Sequence, residues 1–487
     1  MTTRRAVAWA SLGKIVSFTI AFATSIVIAR FYLGPADVGL FSIAFAATTL
    51  VAVMQEFGLN RYIVGETELG DAKLRAAQTV SLLVGWAIAA VILIAAWPIS
   101  QLYGDARLLP LILVVGASYL FVPFATVPIA VLHRRMDFKS DFLIEAGAAA
   151  ANAGVSLVLA ARGHGAMALA WGAFAQQGLR AMIAQLRAGW LLPWPLRLAE
   201  SGAVFRFGSG STLLLLFDAV AARAPDLLVG ANAGPYAVGL FSRATGLAVQ
   251  VVYLITGAVN SVFYPALARL RDEGRPLGDA YLRIVAGYTG VVFPAMAGLA
   301  AASHPLVAAL YGPRWIEVAP ILALLAAAQM ILVALPLPVQ IPILLGQLRG
   351  VVLRSALVTA IMVALFAVGS RWGIGGAGLA YVAFTVVSVL VFGQFVHRLI
   401  GFSLSTLFAI YMRSLLCAAA AIAPLMLAYR FYLPPETMGL FALLGLCGCG
   451  VVTWLGAAEL TGHPIREEVR RAIGSLARPP ESVRESR

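Results

Sequence analysis

Charged side chains stand inside several mostly apolar stretches, and the six cleanest cases are Lys14, Arg30, Asp218, Arg223, Asp226 and Arg243. A charge at the centre of a membrane helix costs about 2.5–3.5 kcal/mol, so each of the six calls for water, a partner or a ligand. The four bases can donate to anionic oxygens, the arginines two bonds at a time. The two carboxylates can take up H⁺ or bind Na⁺. Gln55, Glu56, Gln250 and Asn260 lie around them, on the first two helices of each lobe. Simpler uses exist for all six. Lys14 and Arg30 lie near opposite ends of one apolar run and can snorkel to the interface. Arg223 and Asp226 are three apart, the spacing of a helical ion pair, and either aspartate can be a fixed counter-ion to Arg223.

These side chains need elements to hold them, and the composition says what the elements are. The chain has 487 residues, 61% hydrophobic and only 12% charged, where a soluble protein carries about 25% charged residues. That excludes a water-soluble globule and predicts an all-α polytopic membrane protein. A spanning helix needs about 20 mostly apolar residues. Fourteen stretches qualify: 8–31, 38–57, 77–99, 108–132, 142–161, 166–186, 208–231, 236–265, 281–303, 316–345, 351–370, 374–397, 404–429 and 438–459. The first is long enough to span and is read as a membrane helix rather than a signal peptide. The net charge of +13 resides in short loops, a topology signal and not a nucleic-acid surface. The N-terminus, every second loop and the tail hold 23 Lys and Arg, and the other loops hold five, so both termini are expected in the cytoplasm. Cys417, Cys447 and Cys449 read as small hydrophobes. The five histidines lack metal-ligand spacing, and no metal site is expected.

The chain also repeats itself. "GPADVGLFSIA" from Gly34 and "GPYAVGLFSRA" from Gly234 share eight of eleven residues. "GHGAMALAWGAF" from Gly163 and "GIGGAGLAYVAF" from Gly373 share six of twelve, and "LYG" recurs at Leu102 and Leu310. The echoes come in one order, at corresponding places in two sets of six spans. This predicts two parallel-repeat six-helix lobes, residues 1–200 and 201–400, then two further helices in 401–460 and a cytoplasmic tail in 461–487. Six is even, so the halves enter the membrane in the same direction. Their axis lies along the membrane normal, and transporters place a substrate cavity between such repeats.

In these features the sequence resembles the bacterial polysaccharide-biosynthesis flippases of the multidrug/oligosaccharidyl-lipid/polysaccharide exporter superfamily. The resemblance rests on the two lobes, "IARFYLGPADVGLFSIA" from Ile28, "MQEFGLNRYIVG" from Met54 and "LHRRMDFKS" from Leu132, and covers roughly the first 400 residues. It implies a lipid-linked oligosaccharide as substrate, turned on its undecaprenyl-pyrophosphate carrier from the cytoplasmic to the outer leaflet of the bacterial inner membrane. Under that reading Lys14, Arg30, Arg223 and Arg243 contact the pyrophosphate head group in a cationic cavity. Membrane lipids and other polysaccharide assembly proteins are the remaining partners, with no nucleic acid. Alternatives are a lipid II flippase and an ion-coupled drug antiporter of the same superfamily. A membrane glycan polymerase or ligase would need outer loops with catalytic groups, and the outer loops here are short. No catalytic residue and no organic cofactor are expected.

Transport needs energy. "GSGST" from Gly208 lacks the lysine of a phosphate-binding loop, and "GIGGAG" from Gly373 follows no soluble strand. Ion coupling through Asp218 and Asp226 is the expectation that stays. Asp141 and Glu145 read as acids suited to a helix N-terminus, and Arg180 and Arg413 carry no second clue. Trp9, Trp86, Trp97, Trp190 and Trp194 fit an interfacial belt. "PIREEVRRAIGSL" from Pro464 reads as an amphipathic tail segment for the inner leaflet or as a solvated helix.

Overall fold

Hydrophobic runs without strand periodicity have one solution in lipid, since a helix satisfies every backbone group within its own segment. The computed structural model describes the backbone of residues 3–56, 59–66, 68–191, 196 and 201–466, and side chains there except at 3–7, 56, 61, 201–213 and 253–262. Among the described residues 87% are helical, with fourteen long helices when α9 is counted as one. In order they are α1 (Thr3–Val27, ending in a π turn Ile28–Tyr32), α2 (Pro35–Ala52), the short α3 (Leu59–Gly65), α4 (Asp71–Tyr103), α5 (Leu108–Ser118), α6 (Val122–Arg134), α7 (Phe138–Ala161) and α8 (Ala166–Ala188). Then come α9 (Ser201–Asp272), α10 (Gly278–Ala301), the short α11 (Ser303–Leu310), α12 (Val318–Val333), the short α13 (Gln340–Leu344), α14 (Leu348–Gly369), α15 (Gly373–Ile400), α16 (Leu404–Phe431) and α17 (Leu440–Leu460). Element α9 is two helices meeting at Gly234, whose φ of 80° only glycine adopts without strain; its parts are α9a (201–233) and α9b (235–272). The "GSGST" run from Gly208 is helical backbone within α9a.

Nine helices among the described residues are long and apolar enough to cross a membrane. Their outward side chains agree: Phe441 stands 90% exposed and Leu353 71%, which hydrocarbon accommodates and water would not.

One expected span is interrupted, and another stays a single helical run, Leu108–Arg134, with a 3₁₀ turn inside it. Residues 108–132 form α5 and α6, separated by a 3₁₀ turn at Tyr119–Phe121 before Pro123. Residues 316–345 form α12 and α13 with a non-helical stretch at 334–339. Pro336 and Pro338 cannot donate to a helix, and Leu337 takes φ 56°. Side-chain donors reach backbone carbonyls in both regions, Phe124 O among them because Pro128 has no N–H to give it. Trp86 Nε1 donates to Leu120 O at 3.3 Å and Gln185 Nε2 to Phe124 O at 2.9 Å. Tyr411 Oη donates to Ala334 O at 2.7 Å and Tyr281 Oη to Pro336 O at 3.2 Å. Irregular backbone at membrane depth survives only with such partners.

The chain gathers into two units, Met1–Ser242 with Phe366–Ala377, and Arg243–Leu365 with Gly378–Arg487. In the first, α7 packs on α8 and α1, and α2 on α5. Small residues set the spacing: a Cβ at Gly172 would strike Ser156, and one at Gly85 would strike Pro123. In the second, α10 packs on α16 and α12, and α16 on α17. The root of the tail is fixed by a one-way relay. Ile465 N–H donates to His463 Nδ1 at 3.1 Å, His463 Nε2 to Ser414 Oγ at 3.0 Å, Ser414 to Thr289 Oγ1 at 2.9 Å, and Thr289 to Val285 O at 2.8 Å. Only a neutral imidazole fits, because Nδ1 must accept. Burial, with the charge of Arg413 adding to it, brings the His463 pKa down to about 4.

Candidate functional site

The duplicated turn explains itself in the first unit. Pro35 and Pro235 each start a helix, and Gly39 and Gly239 follow four residues later on the same face. A Cβ on Gly39 would fall on the Pro235 carbonyl, and a Cβ on Gly239 on the Pro35 carbonyl. Ser42 Oγ meets Ser242 Oγ at 3.2 Å. Each copy therefore touches the other with its own equivalent residues, the signature of a local two-fold relation. Backbones this close require glycine on both sides. The "LYG" echo has a structural basis too: Gly104 and Gly312 leave their helices at φ 64° and 82°.

Beside this crossing lie the charges of α9a. The Arg223 guanidinium sits 5.0 Å from the ring centroid of Phe45 on α2, and Phe45 stacks on Phe41 at 5.6 Å. Arg223 and Asp226 do not form the contact ion pair that their spacing allows: Asp226 feels Arg223 only through space, and the guanidinium turns to an aromatic face instead. Tyr103 Oη donates to Leu227 O at 2.8 Å, fixing the α9a backbone next to Asp226. Asp218 is exposed two turns earlier. Lys14 is exposed on α1, and Arg30 is exposed in the π turn with its guanidinium 5.9 Å from the Phe31 ring.

Arg243 belongs to the second unit. Its guanidinium lies 5.8 Å from the Tyr311 ring and 5.7 Å from the Trp315 ring, and it hydrogen-bonds Tyr311. Trp315 is fully buried, so this arginine is held by a packed aromatic pair. The side chains of Glu56 and Asn260, together with Trp194 and the tail beyond Arg466, lie outside the described residues.

One constellation went unread in the sequence. Glu145 on α7 pairs with Arg180 on α8 at 2.7 Å, so Glu145 is not a helix N-terminal acid, and Arg180 has its partner. Asn152 Nδ2 donates to Gln176 Oε1 at 2.8 Å two turns further on, and Ser156 Oγ reaches Asn152 at 3.4 Å. Residues 145, 152 and 156 share one helical face, as do 176 and 180. That spacing was the available signal. Glu145 and Arg180 keep over a third of their side-chain surface open, which in a membrane helix marks a face toward water or a polar ligand. Asp141 pairs with His133 at 3.1 Å. The "LHRRMDFKS" loop is built from its own letters: Arg134 donates to Ile63 O and Glu66 O, and Asp137 caps Ser140 N at 3.2 Å.

The polysaccharide biosynthesis protein family matches residues 27–320, which is more than half of the chain and includes the crossing, Arg223 and the loop at Leu132. The chain belongs to that family. Among its relatives is the succinoglycan biosynthesis transport protein ExoT of Rhizobium meliloti, 24% identical over 355 residues, which are 72% of this chain and 71% of that one. The lipopolysaccharide biosynthesis protein WzxC of Escherichia coli is 22% identical over 65% of each chain. By fold the chain is similar to the lipid II flippase MurJ in an inward closed conformation, with TM-score 0.74 and 12% identity over 93% of this chain and 98% of that one. An outward-facing multidrug-resistance MATE transporter of the MOP superfamily aligns with TM-score 0.50 and 17% identity over 82% of this chain and 96% of that one. The family is thus a multi-pass membrane family on the scaffold that these transporters share.

Proposed function

We propose that the protein is a flippase of the bacterial inner membrane. It moves undecaprenyl-pyrophosphate-linked oligosaccharide units from the cytoplasmic to the outer leaflet for surface polysaccharide assembly. The observation that carries this reading is the family match together with relatives named for transport in succinoglycan biosynthesis and for lipopolysaccharide biosynthesis. The chain acts as two repeated six-helix lobes in alternating access, without catalysing a reaction. Arg223, Lys14 and Arg30 receive the pyrophosphate, and the α7–α8 strip of Glu145, Arg180, Asn152 and Gln176 offers polar groups to the sugars. Arg243, held beside the Tyr311 and Trp315 rings, contributes through its remaining N–H groups. Asp226 and Asp218 carry the coupling ion, H⁺ or Na⁺.

Deletion followed by lipid analysis tests this. Undecaprenyl-linked repeat units that build up on the cytoplasmic side, with surface glycan lost, are the expected result. The fold likeness to MurJ favours a second reading, lipid II as substrate, in which lipid II accumulates instead and growth fails. Normal glycan with new drug sensitivity overturns both.

A further inference from the structure

A polar hollow of about 570 Å³ opens in the second unit, at the ends of α10 and α16 that follow the basic loops. Arg283 from α10 and Arg413 from α16 line it, with Thr406 and Asp279 at its rim and Pro464 from the tail root at one side. Arg413 is the tenth residue of a 28-residue helix, about 14 Å along it at 1.5 Å per residue. That helix is about 42 Å long against a hydrocarbon core of about 30 Å, so Arg413 lies below the hydrocarbon boundary. A guanidinium at that depth needs an anion or a route to the headgroups. Among the described residues neither Arg283 nor Arg413 is in an ion pair. Asp279 is the single carboxylate in the lining, which leaves the hollow with net positive charge. Besides Ser405, the rest of its wall is apolar, with Leu282, Ala286 and Ile410.

We propose that this hollow holds the phosphate of an anionic membrane lipid in the leaflet on the side of the basic loops. Two guanidiniums from different helices bracket a phosphate with several donors, and a basic pocket between membrane helices on the basic-loop side is where lipid phosphates dock. The apolar wall accepts the first methylenes of the acyl chains, which a soluble anion has no use for. A bound lipid would join α10 to α16 beside Ser414, the residue that His463 grips. The site does not depend on which glycan the protein carries.

Native mass spectrometry of the purified full chain tests the proposal. Phosphatidylglycerol should be retained and phosphatidylcholine should not. Arg283→Gln/Arg413→Gln should lower phosphatidylglycerol retention at least tenfold, while Arg283→Lys/Arg413→Lys retains part of it. Unchanged melting temperature and elution volume show that the variants are folded, and the single variants serve if the double variant is not. Equal retention by wild type and Arg283→Gln/Arg413→Gln overturns the site. Competition by inorganic phosphate at equal potency, or by undecaprenyl pyrophosphate in strong preference, overturns its assignment to membrane phospholipid. Retention that emerges only in Glu467→Gln/Glu468→Gln means that the tail's own carboxylates fill the hollow, and the proposal fails.

Discussion

Arg223 presents its charge to the ring of Phe45 rather than to Asp226. A cation on a ring keeps its outer N–H groups for a ligand, whereas a carboxylate partner would consume them. Arg223→Gln should leave expression intact and lower surface polysaccharide at least about tenfold, the effect of losing one charge-assisted contact of about 1.5–3 kcal/mol. Western blotting and glycan quantification from the same cells separate the two quantities. Glu145 and Arg180 behave differently because they hold each other at 2.7 Å. Glu145→Ala strands a charge in the membrane and should cut the amount of folded protein, whereas the exchange Glu145→Arg/Arg180→Glu restores the pair and the protein level. If the α7–α8 strip meets sugars, export stays low in the exchanged variant; full export there reduces the pair to a helix clamp. At this scale the sequence was half legible. The charges were visible because each interrupts an apolar run. Their partners were not, since Arg223 meets a residue nearly two hundred positions away and Arg180 meets one thirty-five away, and one-dimensional spacing ranks no such pairing.

Elements were the most legible level. The apolar runs became helices because lipid leaves the backbone no alternative, though not one for one: the runs 208–231 and 236–265 join at Gly234 in α9, and 108–132 divides into α5 and α6. The 3₁₀ turn at 119–121 and the break at 334–339 leave no distinct mark in the sequence, as a proline inside a long apolar run reads equally well as a kink. The repeated Gly-Pro segment told more than its positions, because its letters pack against each other. In a variant lacking the native cysteines, Ser42→Cys/Ser242→Cys should form a disulfide on mild oxidation, given an Oγ–Oγ distance of 3.2 Å. Gel mobility with and without reductant reads it, and no cross-link would place the crossing elsewhere. Gly39→Leu should lower the folded yield, because the Pro235 carbonyl occupies the Cβ position. The tail root makes a pH prediction. The folded pKa of His463, about 4, lies below the ordinary value near 6.5. The neutral form therefore stabilises the fold fully above pH 6.5, and that stability is lost as pH falls from 6.5 toward 4, by at most about 1.4 kcal/mol per pH unit. Melting temperature should drop from pH 7.5 to pH 5. His463→Asn should start lower at pH 7.5 and show a shallower drop.

Across the whole molecule the basic residues are sorted by loop, 23 against five. Fourteen spans make the termini face the same side, so the two observations can be tested against each other. The inner leaflet and the translocation machinery both retain Lys and Arg, which is the reason to expect the richer side in the cytoplasm. A fluorescent protein fused after Arg487 should fluoresce, and alkaline phosphatase fused there should be inactive. Cysteines placed beside Arg162 and Arg371 should react with an impermeant maleimide on intact cells, and cysteines beside Arg135 and Arg349 only after lysis. A tail on the outer side, with loops still alternating, would mean an odd number of crossings; the run at 316–345, which breaks at 334–339, is then the stretch that fails to cross. The orientation also bears on the hollow at Arg283 and Arg413. It shares a side with Arg269, Arg271 and Arg398, so labelling that puts those residues outside would move the anionic lipid to the outer leaflet. The two measurements together fix which leaflet supplies the phosphate and from which side a lipid-borne substrate is loaded.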